Sequence, residues 1–86
     1  MNMNESTPKE KAKVGLWLLK QALLDYYRDH PEGSTARQVR DELDLWAPGK
    51  KGWADTLLWG IDNLLESEGL IERRKFGRIN RVFLVE

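Results

Sequence analysis

Basic residues are concentrated near the end of this chain in a pattern suited to phosphate binding. Residues 72–86 contain five basic side chains and two acidic ones, a local excess of three positive charges. The five are Arg73, Arg74, Lys75, Arg78 and Arg81. Clustered cations attract polyanions, and guanidinium groups bind phosphate oxygens or enter a narrow minor groove. Alternatively, such residues serve only solubility and protect a strand edge.

A second candidate group lies in and before a helix predicted over about residues 53–68. Lys50 and Lys51 precede this helix, where the N–H groups of its first turn would help them bind a phosphate. Thr56 and Asn63 are predicted to face outward, and their hydroxyl and amide groups suit contacts with base edges. Outward polar residues usually face water, so a solvated face is the alternative for these two.

Two aspartates and a tryptophan on the same helix favour a protein partner over a nucleic acid. Asp55 and Asp62 are predicted to face outward, where each would repel phosphate, although Asp55 would also stabilise the helix dipole. Trp59 projects beside them, and an exposed tryptophan often anchors an interface. The alternative is that the basic segment or Trp46 folds over it. Gly60 lowers helix propensity by about 1 kcal/mol, which predicts that another group approaches the backbone closely there.

Composition argues against several classes of protein. With 86 residues the chain is expected to form one small domain. It has no cysteine and one histidine, so neither disulfides nor a metal site is expected. No apolar run is long enough to span a membrane and no signal peptide is evident, so a cytoplasmic protein is expected. We find no catalytic constellation or glycine-rich phosphate loop, and expect neither an enzyme nor a cofactor.

The first helix is predicted over about residues 9–29, after a polar segment, residues 1–8, that is expected to be a disordered tail. It ends at His30, because the following proline disfavours helical geometry. Its inner stripe has three- and four-residue spacing: Ala12, Leu16, Leu19, Leu23, Tyr26 and Tyr27. Trp17 and Leu24 lie on the opposite face, which predicts a homodimer interface. The alternatives are cover by the tail and last strand, or a partly exposed patch on a monomer.

The next two helices have recognisable ends. Thr35 and Gln38 have capping-box spacing at the start of the second helix. A loop is predicted at residues 46–52, followed by the third helix, with Gly69 as its left-handed cap. The third helix has an apolar inner stripe: Ala54, Leu57, Leu58, Ile61, Leu64 and Leu65.

The end of the chain predicts a β-hairpin. Two strand-like runs, "LIERRKF" and "INRVFLV", flank Gly77 and Arg78, a turn signal. With this hairpin, the segments "STARQVRDEL", "LLWGIDNLLESEGLIERR" and "RRKFGRINRVFLV" resemble the winged helix-turn-helix superfamily over about residues 12–85. The exit of the third helix, "EGLI", is the most specific element of the resemblance.

The resemblance implies an α+β fold, with residues 9–86 forming a single winged-helix domain. It implies binding of double-stranded DNA by a small transcriptional regulator, with the third helix in the major groove and the hairpin, the wing, on the backbone or in the minor groove. By position, the implied DNA contacts are Lys50, Lys51, Thr56, Trp59, Asn63 and the five wing cations. The alternative is a winged-helix protein–protein interaction module that uses the face of Asp55, Trp59 and Asp62.

Overall fold

The chain forms three helices followed by a two-stranded antiparallel sheet. The computed structural model describes residues 7–45 and 53–85, with the backbone alone for residues 53–55. The elements are α1 (Pro8–Asp29), α2 (Ala36–Glu42), α3 (Trp53–Ser67), β1 (Ile71–Phe76) and β2 (Ile79–Leu84). The predicted α+β class is confirmed, and the order of elements is consistent with a winged-helix layout. Within the described residues, no helix is both long and apolar enough to cross a membrane.

Local side-chain contacts define the start and end of α1. Thr7 is its N-cap, because the Thr7 Oγ1 accepts a hydrogen bond from the Glu10 N–H at 3.2 Å. Pro8 occupies the first turn, where no N–H is required. These two residues were expected in the tail, so the helix begins earlier than predicted. At the other end, the His30 Nδ1 lies 2.7 Å from the carbonyl oxygen of Tyr26.

The predicted caps of α2 and α3 are confirmed. Thr35 and Gln38 form a reciprocal capping box, with N-to-side-chain-oxygen distances of 2.9 and 3.2 Å. After α3, Gly69 has φ of 76° and its N–H donates to the carbonyl oxygen of Glu66. The N–H of Leu70 donates to the carbonyl oxygen of Leu65, which completes a Schellman motif and directs the chain into β1.

The predicted hairpin is confirmed, and residues 71–84 are called the wing below. Its register runs from Ile71 opposite Leu84 to Phe76 opposite Ile79. Gly77 opens the two-residue turn with φ of 65°, the sign that a type II′ turn requires at that position. Side chains alternate between the two faces of a strand, so one face packs on the helices and the other does not.

A short backbone bridge connects the segment before α2 to the wing. The Ser34 N–H donates to the Val82 carbonyl oxygen at 3.0 Å, and the Val82 N–H donates to the Ser34 carbonyl oxygen at 2.9 Å. The sequence did not predict this bridge, because a single residue pair has no strand-like pattern. It attaches the outer edge of β2 to the helical part of the domain.

The core lies where the three helices and the wing meet, and its members are Leu23, Leu24, Tyr26, Tyr27, Val39, Leu58, Ile61, Leu65, Ile71 and Val82. Leu24, predicted on an uncovered face, is therefore buried, since the second half of α1 contacts both α3 and β2. Leu16 and Leu64, predicted to face inward, are 40% and 42% exposed. No residue of α1 before Leu23 is fully buried, so its first half extends past the core.

Candidate nucleic-acid interface

Asp62 lies inside the domain, and the prediction that it faces outward is wrong. Its side chain is 5% exposed, and the Tyr27 hydroxyl donates a hydrogen bond to its Oδ1 at 2.7 Å. The cause is helical spacing, because Asp62 follows Leu58 by four residues and precedes Leu65 by three. It therefore shares their inward face, where α1 supplies its partner. One of the two acidic residues that argued against phosphate binding is thus removed from the surface.

Burial also changes the acidity of this pair. Desolvation raises the pKa of the Asp62 carboxyl from 3.8 to about 6, although the Tyr27 hydrogen bond and the Arg73 charge act in the opposite direction. Glu66 adds to the rise. Burial, together with the neighbouring Asp62 carboxylate, raises the pKa of the Tyr27 hydroxyl. The tyrosine therefore remains a hydrogen-bond donor, while the carboxyl titrates close to neutral pH.

Arg73 joins the wing to α3. Its Nη1 donates to the Asn63 Oδ1 at 2.7 Å, and its Nη2 lies 3.4 Å from the carbonyl oxygen of Trp59. Arg73 and Asn63 were both predicted to contact DNA. In the structure they contact each other, and the Asn63 side-chain oxygen already accepts one hydrogen bond. These contacts of Arg73 with Asn63 and with the Trp59 backbone are called the clamp below. The clamp holds β1 at a fixed position along α3.

Thr56 and Trp59 lie on the outward face of α3, one turn apart and both exposed. Trp59 is 64% exposed, so the wing does not fold over it, and Trp46 lies outside the described residues. The predicted close approach at Gly60 is wrong for the described part of the chain. A Cβ atom built there would have no other atom within 4 Å, apart from its own helix backbone and chain neighbours. None of the residues that the structure describes covers the outward face of α3, which leaves this face open to a partner.

A recess of about 180 Å³ separates this face from the wing. It is lined by Ala36, Leu58, Trp59, Asp62, Arg73, Asn80 and Val82. Asn80 was not among the predicted site residues. It shares the inner face of the hairpin with Arg73 and Val82, which only the strand register reveals.

Two wing cations have partners within the wing or beside it. Arg74 pairs with Glu72, and its guanidinium carbon lies 4.5 Å from the ring centroid of Phe83. The Arg81 Nη1 donates to the Gly33 carbonyl oxygen at 3.3 Å. Both cations therefore have a structural role, although Arg74 remains exposed to solvent.

The other two wing cations, Lys75 and Arg78, lie at the exposed end of the hairpin. Neither has a hydrogen-bond or ion-pair partner in residues 7–45 and 53–85. Glu68, which follows α3, forms an ion pair with Lys20 of α1. Lys50 and Lys51, the predicted phosphate contacts before α3, lie outside the described residues, as do the side chain of Asp55 and the predicted loop at 46–52.

The two residues predicted as a dimer interface do not share a surface. Trp17 is 58% exposed, whereas Leu24 belongs to the core, so Leu24 is excluded from any interface. Trp17 lies instead beside Leu18, which is 54% exposed, on the half of α1 that extends past the core.

The site thus comprises an open face of α3, a clamp at Arg73 and a cationic hairpin end. Across the described ranges, no group of three or more histidine, aspartate or glutamate residues is placed to hold a metal ion. Comparisons of the chain with protein-family models, curated proteins and solved structures gave no significant match.

Proposed function

We propose that the protein binds double-stranded DNA, as a small transcriptional regulator does, with α3 in the major groove and the wing on the backbone or in the minor groove. The observation that carries this proposal is the clamp at Arg73. Its contacts with Asn63 and with the Trp59 backbone join the open face of α3 and the cationic wing into one surface. A duplex presents its two grooves and the intervening phosphates in a fixed arrangement. A protein in which α3 and the wing are held in a fixed relative position can therefore contact both grooves at once.

Charge supports the same partner. Residues 73–81 contain five cations and no carboxylate, although the whole chain has a net charge of zero. Lys75 and Arg78 are the best candidates for phosphate contacts, because both are exposed and have no internal partner in the described residues. Counter-ions released from phosphates by such residues provide most of the affinity of non-specific DNA binding.

Residues of α3 would provide the contacts within the groove. Trp59 and Thr56 face outward, and the indole is large enough to pack on sugars or base edges. Lys50 and Lys51 remain proposed phosphate contacts at the N-terminal end of the helix. Burial of Asp62 favours this arrangement, since its carboxylate would otherwise face the phosphates.

The test is a titration of a fluorescently labelled mixed-sequence duplex, followed by anisotropy at a series of salt concentrations. We expect the affinity to fall linearly on a log–log plot, and the Lys75→Ala/Arg78→Ala variant to reduce the slope by about 2. Lys9→Ala/Lys11→Ala is the matched control, because it removes the same charge from the exposed start of α1. The absence of binding at low salt, or equal slopes for the two variants, would contradict the proposal.

Trp59 supports a second candidate function, a protein–protein interaction module. A tryptophan that is 64% exposed at the centre of an open helix face is typical of an interface anchor. This function predicts that the chain does not bind duplex DNA at low salt, which the same titration measures.

We also propose a homodimer formed through the first half of α1. Trp17 and Leu18 are the most exposed large apolar residues of this helix, and neither belongs to the core. A second copy packed there would give the protein the two-fold symmetry common among DNA-binding proteins.

A further inference from the structure

We propose that the end of the wing is an apolar wedge, which inserts Phe76 and Ile79 between base pairs in the minor groove and bends the DNA. This inference rests on the proposed function and adds a mode of binding to it. Phe76 is 52% exposed and Ile79 is 53% exposed, and the two lie directly opposite each other at the last rung of the hairpin. Both lie on the face of the wing that does not pack against the helices.

The charges around these two residues indicate the occupant. Lys75 precedes Phe76 in β1, where alternation places its side chain on the opposite face of the strand, and Arg78 precedes Ile79 in the turn. Both cations are exposed, and residues 73–81 contain no acid that would repel a polyanion. An apolar pair at a hairpin end that also carries cations complements a DNA groove, where phosphates line both sides and apolar base faces lie between them.

Insertion between base pairs requires that the wedge be held in place, and Phe83 packs against Phe76 within the wing. The ring of Phe76 lies 6.1 Å from that of Phe83, and the Arg74 guanidinium lies over Phe83. Phe83 in turn packs on Gly33, where a Cβ atom would come within 2.5 Å of its ring. This row of contacts connects the end of the hairpin to the turn before α2, so Phe76 has a rigid support against displacement.

The clamp limits the distance between the wedge and α3. Arg73 contacts α3 and precedes Phe76 by three residues, which corresponds to about 10 Å along an extended strand. The end of a wing fixed there would enter the minor groove next to the major groove that α3 would occupy. Apolar side chains inserted from the minor groove bend a duplex by tens of degrees toward the major groove. The bend would therefore close the DNA around α3.

Insertion is tested with a duplex that carries a donor and an acceptor dye at its ends, and with a second duplex that contains 2-aminopurine in its central steps. We expect the wild-type protein to shorten the end-to-end distance and to increase the 2-aminopurine fluorescence, because unstacking relieves its quenching. Phe76→Ala/Ile79→Ala is expected to keep the wild-type salt dependence of binding but to lose both signals. Lys75→Ala/Arg78→Ala is expected to lower the salt slope and to retain the bend in complexes formed at low salt.

The matched control is Leu70→Ala/Val85→Ala, which removes an exposed apolar pair from the other end of the hairpin and should leave the bend unchanged. Circular dichroism verifies that each variant is folded. A wild-type protein that binds the duplex without bending or unstacking it would overturn the wedge and leave the proposed function intact. A wild-type protein that does not bind at low salt would overturn both. Loss of binding to phosphatidylserine vesicles by Phe76→Ala/Ile79→Ala, with an unchanged DNA bend, would assign the tip to a lipid surface.

Discussion

Replacement of Asp62 by asparagine is expected to stabilise the protein at neutral pH and to have little effect in acid. The carboxyl is buried, and burial raises its pKa from 3.8 to about 6. Between these two pH values the native state retains a proton at Asp62 that the unfolded chain has lost. The contribution of this residue to the free energy of unfolding therefore decreases as the pH rises through that interval. The amide that replaces the carboxyl would carry no charge, and its oxygen could still accept the Tyr27 hydrogen bond.

The magnitude follows from the same two values. A difference of about 2 pH units corresponds to about 3 kcal/mol, since one unit is worth about 1.4 kcal/mol. We therefore expect Asp62→Asn to unfold with a free energy about 3 kcal/mol higher than wild type at pH 8, and with a nearly equal one at pH 4.

Urea unfolding followed by tryptophan fluorescence at several pH values from 4 to 8 measures this difference. At each pH, the free energy of unfolding of the wild type is subtracted from that of Asp62→Asn. The difference cancels the contributions of the other titrating groups. Asp25→Asn is the control, because Asp25 is an exposed carboxylate paired with Arg28. It should show no comparable gain toward high pH. If the advantage of Asp62→Asn were independent of pH, or were largest in acid, the assignment of burial as the dominant effect on Asp62 would be refuted.

Four further variants test separate parts of the structure. Tyr27→Phe leaves the Asp62 carboxyl without its donor and should destabilise the protein by about 2 kcal/mol at pH 8 and about 1 kcal/mol at pH 4, measured by the same urea titration. Gly33→Ala should lower the free energy of unfolding by at least about 1 kcal/mol, since Gly33 has φ of 93° and the ring above it leaves no room for a methyl group. Gly60 lies within a helix and has open space beside it, so Gly60→Ala should raise the free energy of unfolding by about 1 kcal/mol. A decrease in this free energy would show that the helix face is not open. Wild-type protein should sediment as a dimer and Trp17→Ser as a monomer, and a monomeric wild type would exclude the homodimer.

Local features of the fold could be predicted from the sequence because their causes are local. The capping box at Thr35, the cap at Gly69 and the turn at Gly77 each depend on residues within a few positions of one another. The spacing of apolar residues placed α1 and α3, the capping-box spacing placed the start of α2, and two strand-like runs around a turn signal placed the hairpin. The spacing of apolar residues could not show how far the buried face of a helix extends along its length, because this depends on which other elements pack against the helix.

The candidate site was harder to predict because its contacts join distant residues. Tyr27 and Asp62 are 35 positions apart, and no local pattern connects them. A signal for Asp62 was nevertheless present, since its spacing from Leu58 and Leu65 placed it on the core face. The contact between Arg73 and Asn63 likewise depends on how β1 leaves α3, so two predicted DNA contacts proved to be partners of each other.

The bridge between Ser34 and Val82 has a consequence for how the wing moves. A two-stranded hairpin alone is marginally stable in water, and this one exchanges two backbone hydrogen bonds with the segment before α2. Departure of the wing from the domain would expose both amide groups at once. The Ser34 and Val82 amide protons should therefore exchange with solvent at similar rates, with a protection that approaches that of the core. In that case the wing would open only together with the helices, and its orientation toward a partner would already be set before they meet.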